Sequence, residues 1–146
     1  MIIKQLQVGE YSQLTVLSKA NELEEPTPED MARIRVAWGL KDSQGEARGC
    51  VALFQREDNW VLDCLAVSED LRGGNYGRQL VETAEAYLKE QAPAAPLYLV
   101  TKVPPFFARL GYQEISRDAA PDFSECFTCS RYQQSCFPQV MVKSDI

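Results

Sequence analysis

Residues Leu62 to Leu88, LDCLAVSEDLRGGNYGRQLVETAEAYL, read in order as a strand, a glycine-rich turn and an amphipathic helix. Val61, Leu62, Leu65, Ala66 and Val67 make an apolar run of strand length. Gly73, Gly74, Asn75 and Gly77 crowd the next span, where side chains would block close approach to the backbone. Leu80, Val81, Ala84 and Leu88 then recur at helical spacing and leave Glu82, Glu85 and Lys89 for solvent. A helix that opens on so few bulky side chains presents free N–H groups and the positive end of its dipole. That is an anion site, best suited to phosphate.

Three glycine patterns compete for this turn. A P-loop needs Gly-Lys-Ser/Thr, and here Gly77 is followed by Arg78 and Gln79. The dinucleotide fingerprint lacks its first glycine at the right spacing, and no ribose-binding acid stands on a following strand. The third pattern is an Arg or Gln followed by glycines just before a helix, and Arg72-Gly73-Gly74-Asn75-Tyr76-Gly77 fits it. On six residues alone a plain strand-to-helix turn reads equally well. The stretch resembles the acyl-CoA pyrophosphate loop of the GNAT acetyltransferases, Arg/Gln-x-x-Gly-x-Gly/Ala. Asn75 stands where that family has its middle glycine, and Asn tolerates left-handed backbone better than most residues.

Composition bounds the rest. A chain of 146 residues suits one domain with its own core, and 45% apolar with 25% charged residues is ordinary for a soluble globular protein. No apolar run reaches membrane-spanning length, and Met1-Ile2-Ile3-Lys4 does not open like a signal peptide. The expectation is a cytoplasmic protein with no membrane partner. A net charge of −6 argues against nucleic acid and puts weight on Arg72, Arg78 and Lys102 for any phosphate-rich ligand. The chain has no histidine, which removes Ser-His and Cys-His nucleophile pairs and His metal sites. Proton transfer must then use a carboxylate, Tyr, Cys, Lys or water.

Met1 to Gln7 reads as a first strand, and Glu10 to Ala20 carries Leu14, Leu17 and Ala20 at helical spacing. Thr27-Pro28-Glu29-Asp30 opens a second helix, with Thr as cap and acids beside the dipole. The period then becomes two through Ile34, Val36, Trp38 and Leu40. Two more strands follow, Gly49 to Gln55 and Trp60 to Val67, so three antiparallel strands lead into the glycine turn. The helix stops at Gln91-Ala92-Pro93. A strand from Pro96 to Thr101, a short helix in PPFFARLG ending at Gly111, a strand from Tyr112 to Ser116 and a last one at Val140–Val142 complete the reading.

This order is similar to that of the GNAT family over nearly all of residues 1 to 116, and Phe106-Phe107-Ala108-Arg109-Leu110-Gly111-Tyr112 looks like its aromatic corner. The resemblance implies an α/β (α+β) fold with a mixed, mostly antiparallel central sheet and helices on both faces. It implies one acyl-CoA N-acyltransferase domain over 1–146, with 117–146 a cysteine-containing extension. LYLVTK and FFARLGYQEISRDAAP resemble more narrowly the amino-acid N-acetyltransferase (N-acetylglutamate-synthase-like) branch.

The family pattern implies an acetyl-CoA cosubstrate and a primary amine acceptor, a small molecule such as an amino acid on the narrower resemblance. The resemblance leaves a homodimer open. Leu65, Ala66 and Val67 would line the pantetheine arm, with backbone groups of Leu65 and Val67 pairing with it. Arg72, Gly73, Gly74, Asn75, Tyr76, Gly77 and Arg78 would hold the pyrophosphate, and Phe106 and Phe107 would flank the arm. The amine must lose a proton and the departing thiolate must be neutralised. Asp63 is the carboxylate available as base, or else a loop-stabilising Asp. Phe107 stands where relatives carry an acid Tyr, so Tyr112, Tyr76 or water is left for that role. The alternative function is a non-catalytic acyl-CoA sensor or interaction module. A carboxylate clamp on the acceptor would draw on Arg33, Arg35, Lys102 and Arg131.

Five cysteines divide into two sets. Cys50 and Cys64 read as small buried apolar residues. Cys126, Cys129 and Cys136 form C-x2-C-x6-C; without histidine a fourth zinc ligand must come from elsewhere, so reduced thiols are the first reading and a metal site the second.

Overall fold

The structure is a computed structural model that describes residues 1–21, 23, 25–121, 139–144 and 146. Its sheet has seven strands: β1 (Ile2–Gln5), β2 (Ile34–Lys41), β3 (Ala47–Arg56), β4 (Asn59–Val67), β5 (Leu97–Thr101), β6 (Gln113–Ile115) and β7 (Gln139–Lys143). They lie in the order β1-β2-β3-β4-β5-β7-β6. All neighbours are antiparallel except β4 and β5. The expected mixed, mostly antiparallel sheet is observed.

Among the described residues four α-helices cover it: α1 (Ser12–Ala20), α2 (Pro28–Ala32), α3 (Tyr76–Gln91) and α4 (Pro104–Ala108). The Thr27 cap is formed: its hydroxyl accepts from the Asp30 N–H at 3.1 Å while the Asp30 carboxylate accepts from the Thr27 N–H at 3.1 Å. The strand alternation sorts the sheet's side chains into two cores. On one face Val36, Trp38, Leu40, Val51, Leu53 and Leu62 meet the apolar stripe of α3, Leu80, Val81, Ala84 and Leu88. On the other, Leu14 and Leu17 of α1 cover Ala37, Cys50, Ala52, Cys64 and Ala66. Each fully buried leucine contributes about 1.5–3 kcal/mol, so these contacts fix how both helices sit on the sheet. Cys50 and Cys64 are buried free thiols, as their apolar neighbours suggest, and burial pushes the Cys50 pKa up to about 12.

β4 departs from regularity where it matters most. Cys50 pairs with Ala66 but Ala52 pairs with Asp63, so β4 carries one more residue than β3 across this step. Cys64 sits in this bulge with φ 57°. On its other side β4 pairs with β5 only at Trp60↔Leu97 and Val61↔Tyr98. From Leu62 to Val67 that edge has no strand partner among the described residues.

The corner after α4 closes at Gly111, as expected of a glycine stop. α4 runs to Ala108 and Arg109 N–H still bonds Pro105 O at 3.3 Å; then Gly111 N–H bonds Ala108 O at 3.1 Å and Tyr112 N–H bonds Phe107 O at 3.1 Å. This is the Schellman arrangement, with Gly111 at φ 96° and the Phe107 and Tyr112 rings 5.7 Å apart as its apolar contact. The last strand, β7, is inserted between β5 and β6, a position its sequence does not announce. Cys126, Cys129, Cys136 and Arg131 lie outside the described residues. Among the described residues no helix is long and apolar enough to cross a membrane.

Candidate active site

The open edge of β4 runs directly into the glycine turn. A 3-10 turn (Glu69–Leu71) leads to Gly73 at φ 88° and Asn75 at φ 70°, so Asn75 does adopt the left-handed backbone expected of the family's middle glycine. Asn75 is the residue before α3, and the first helical bond runs from Gln79 N–H to Asn75 O at 3.2 Å. The N–H groups of Tyr76, Gly77 and Arg78 precede that bond, and the Asn75 side chain does not cap them. Donors and helix dipole therefore point one way, out of the turn beside the open edge.

At the other two glycines the constraint is space rather than backbone angle. A Cβ on Gly77 would lie 3.2 Å from the Phe106 ring, and one on Gly74 would lie 2.9 Å from the Tyr76 ring and 3.2 Å from Leu71 O. Phe106 is thus the roof of the first turn of α3. Phe107 is not its equal partner: it points into the core, edge-on to Phe106 with centroids 4.9 Å apart, and supports it from behind. Leu65 and Val67 pack toward the α3 side, whereas Ala66 is buried toward α1.

The two arginines of the motif are used differently. Arg78 is exposed and sits 3.5 Å from Glu82, one turn along the helix. Arg72 donates from its guanidinium to Asn21 Oδ1 at 2.7 Å and from Nε to Val67 O at 3.3 Å. Asn21 escapes a motif reading altogether. An asparagine directly after a helical stretch is a signal for a C-cap, and that is its other task here.

Asp63 lies at the bulge and is exposed. It stands opposite Ala52, which belongs to the α1-side core, so its side chain leaves the sheet on that face. Its Oδ1 accepts from the Cys64 N–H at 2.7 Å, which steadies the bulge and orients the carboxylate together. Tyr112 is placed elsewhere. Its hydroxyl donates to Glu85 Oε2 at 2.8 Å, more than two turns along α3 from the glycine turn. Burial, reinforced by the Glu85 charge, raises the pKa of its phenol far above the usual value. Lys143 completes that cluster, 3.2 Å from Glu85 and 2.8 Å from Leu110 O. The geometry gives Tyr112 a structural tie.

Of the cations considered for an acceptor clamp, Arg33 lies 3.9 Å from Asp30, Arg35 is exposed at an irregularity in β2, and Lys102 is exposed after β5.

A sheet split beside a strand-to-helix anion turn defines a class of acyl-CoA-binding fold, and comparison with known proteins agrees. Residues 34–114 match the family model described as an acetyltransferase (GNAT) domain. An uncharacterized N-acetyltransferase of Chlorobaculum tepidum, CT2212, is 34% identical over 108 residues, which is 72% of this chain and 68% of that protein. The chain belongs to the GNAT acetyltransferase family. Among solved structures, Rv2747 of Mycobacterium tuberculosis, in complex with CoA, superposes over 100% of both chains with TM-score 0.73 at 16% identity. The N-acetylglutamate synthase of Neisseria gonorrhoeae, complexed with coenzyme A and N-acetyl-glutamate, has TM-score 0.73 at 21% identity. That match covers 98% of this chain and 35% of the synthase, so this chain spans about a third of it. At such identities the superpositions establish the fold.

Proposed function

We propose that this protein moves the acetyl group of acetyl-CoA onto a small primary amine, the α-amine of an amino acid. The observation that carries the transferase reading is the continuity of the unpaired β4 edge, Leu62–Val67, with the uncapped N–H groups of Tyr76, Gly77 and Arg78. An extended pantetheine arm pairs with such an edge as an added strand would, and a pyrophosphate at its end meets the helix start. Because Arg72 already holds Val67 O, Leu65 carries the larger part of that pairing. Phe106 flanks the arm.

The amine enters from the α1 face and attacks the thioester carbonyl carbon. Asp63, directly or through one water, takes the amine proton; the C–S bond breaks and CoA leaves as thiolate. With the Tyr112 hydroxyl committed to Glu85, the thiolate's proton comes from water or from Tyr76 at the helix start. The narrower resemblance in LYLVTK and FFARLGYQEISRDAAP supports an amino-acid acceptor, and Arg35 is the exposed cation we assign to its carboxylate. The whole chain acts as one domain, with 117–146 as its extension.

Thiol release from acetyl-CoA across free amino acids, polyamines and lysine-rich peptides tests this. Turnover on free amino acids is expected. Turnover on peptides alone would overturn the acceptor class, and CoA binding without turnover on any amine would support the sensor reading that the apolar Phe107 favours.

A further inference from the structure

The charged groups around the glycine turn are not partnered alike. Arg78 faces Glu82, and Arg48 faces Asp70 and Asp42, so those guanidinium charges are met by carboxylates. Arg72 is held by two neutral oxygens, Asn21 Oδ1 and Val67 O. Among the described residues no carboxylate meets it, so its charge is oriented but not cancelled. In a chain of net charge −6, that is the arrangement an anion at the turn requires.

Asn21 is suited to the task by how it is itself fixed. Its backbone N–H bonds Leu17 O at 3.1 Å and Ser18 O at 3.2 Å, closing the end of α1. Its Nδ2 donates to Leu17 O at 2.8 Å. A carbonyl can only accept and a guanidinium can only donate, so these two partners settle which end of the amide faces which. The amide oxygen is therefore presented to Arg72 by a helix whose Leu14 and Leu17 are buried in the α1-side core. The contact joins residues 51 apart in sequence and reaches the turn from the opposite face of the sheet to α3. Arg72 itself is extended, φ −65° and ψ 145°, directly before the left-handed Gly73. Fixing its side chain fixes the entry to the turn.

We propose that Asn21 is a positioning residue for the pyrophosphate of acetyl-CoA: it holds the Arg72 guanidinium beside the turn through a neutral oxygen and leaves its charge for the ligand. This rests on the acetyl-CoA reading above. Two substitutions separate orientation from charge. Asn21→Asp keeps an acceptor for Arg72 but cancels its charge; Asn21→Ala removes the acceptor and leaves the charge. Calorimetric titration at low salt should show CoA affinity falling about tenfold in Asn21→Asp and about threefold in Asn21→Ala, with the difference shrinking as salt is raised.

Acetyl-pantetheine, which has no pyrophosphate, is the control. Its kcat/KM should change equally little in both variants, whichever way their melting temperatures move. A purely structural cap, made through the Nδ2 donor that both Asp and Ala lack, would instead give equal losses in the two variants. Wild-type CoA affinity in Asn21→Asp, or equal losses in the two variants, would overturn the proposal. Failure of the wild-type protein to bind CoA at all would overturn the acetyl-CoA reading itself.

Discussion

The two edges of β4 show how one strand can serve both fold and site. Toward β3 it is paired from Asn59 to Val67 with a single bulge, and Gly49 is there because a Cβ would lie 2.9 Å from Ala66 O. Toward β5 it is paired at two positions and then left open. The residues are of the same apolar kind on both counts, so hydrophobicity does not distinguish the edges. What does is the extra residue at Cys64, where β4 shifts its register against β3 by one residue and pairing then resumes at Cys50↔Ala66. The closed edge supplies rigidity and the open edge supplies backbone groups with no partner in the sheet.

The largest effect should come from blocking the end of the open edge. Gly77→Glu places a side chain against Phe106 and a negative charge among the helix-start N–H groups. CoA affinity should fall at least about a hundredfold, read by calorimetry, while far-ultraviolet circular dichroism stays near wild type. Retained affinity would remove the turn as the phosphate site.

At the bulge itself, Asp63→Asn should lower turnover by about 10²–10⁴-fold with CoA affinity within about twofold of wild type, since a base acts on the amine rather than the cofactor. An unchanged pH–rate profile would reduce Asp63 to the partner of the Cys64 N–H. The closed edge has its own probe. Gly49→Ala forces β3 from β4 and should cost about 1–3 kcal/mol in denaturant unfolding, with CoA affinity lowered only in proportion to the unfolded fraction. A specific loss of CoA binding in a folded variant would mean the two edges are not independent.

The smallest effect on chemistry is expected farthest from the bulge. Tyr112→Phe removes the bond to Glu85 and should lower stability by about 1–2 kcal/mol, leaving kcat unchanged. A large fall in kcat at full stability would restore Tyr112 as the acid.

What could be read from the chain beforehand divides along the same lines. Glycine spacing, helical period and the Thr27 cap are local properties, and they located the turn, α3 and α2 correctly. The left-handed Asn75 was also legible, because few residues tolerate that backbone. The bulge was not: Cys64 holds φ 57° without a glycine to mark it, since the register of β3 and the Asp63 side chain impose it from outside. The resemblance implied Phe107 beside the arm and left Tyr112 as one candidate for the acid, and sequence spacing says nothing of which side of a Schellman turn faces the core. Asn21 and Arg72 meet across the sheet, a relation only tertiary structure creates.

Amide shifts of the isotope-labelled protein during titration with CoA would record most directly where CoA touches this backbone. The largest changes are expected at Leu65, Val67 and Gly73 to Arg78, with β3 residues Cys50 to Phe54 nearly still. Saturable binding that left those amides unmoved and shifted another surface, such as the shallow groove of Pro104, Ala108, Gln113 and Met141, would contradict that placement of CoA.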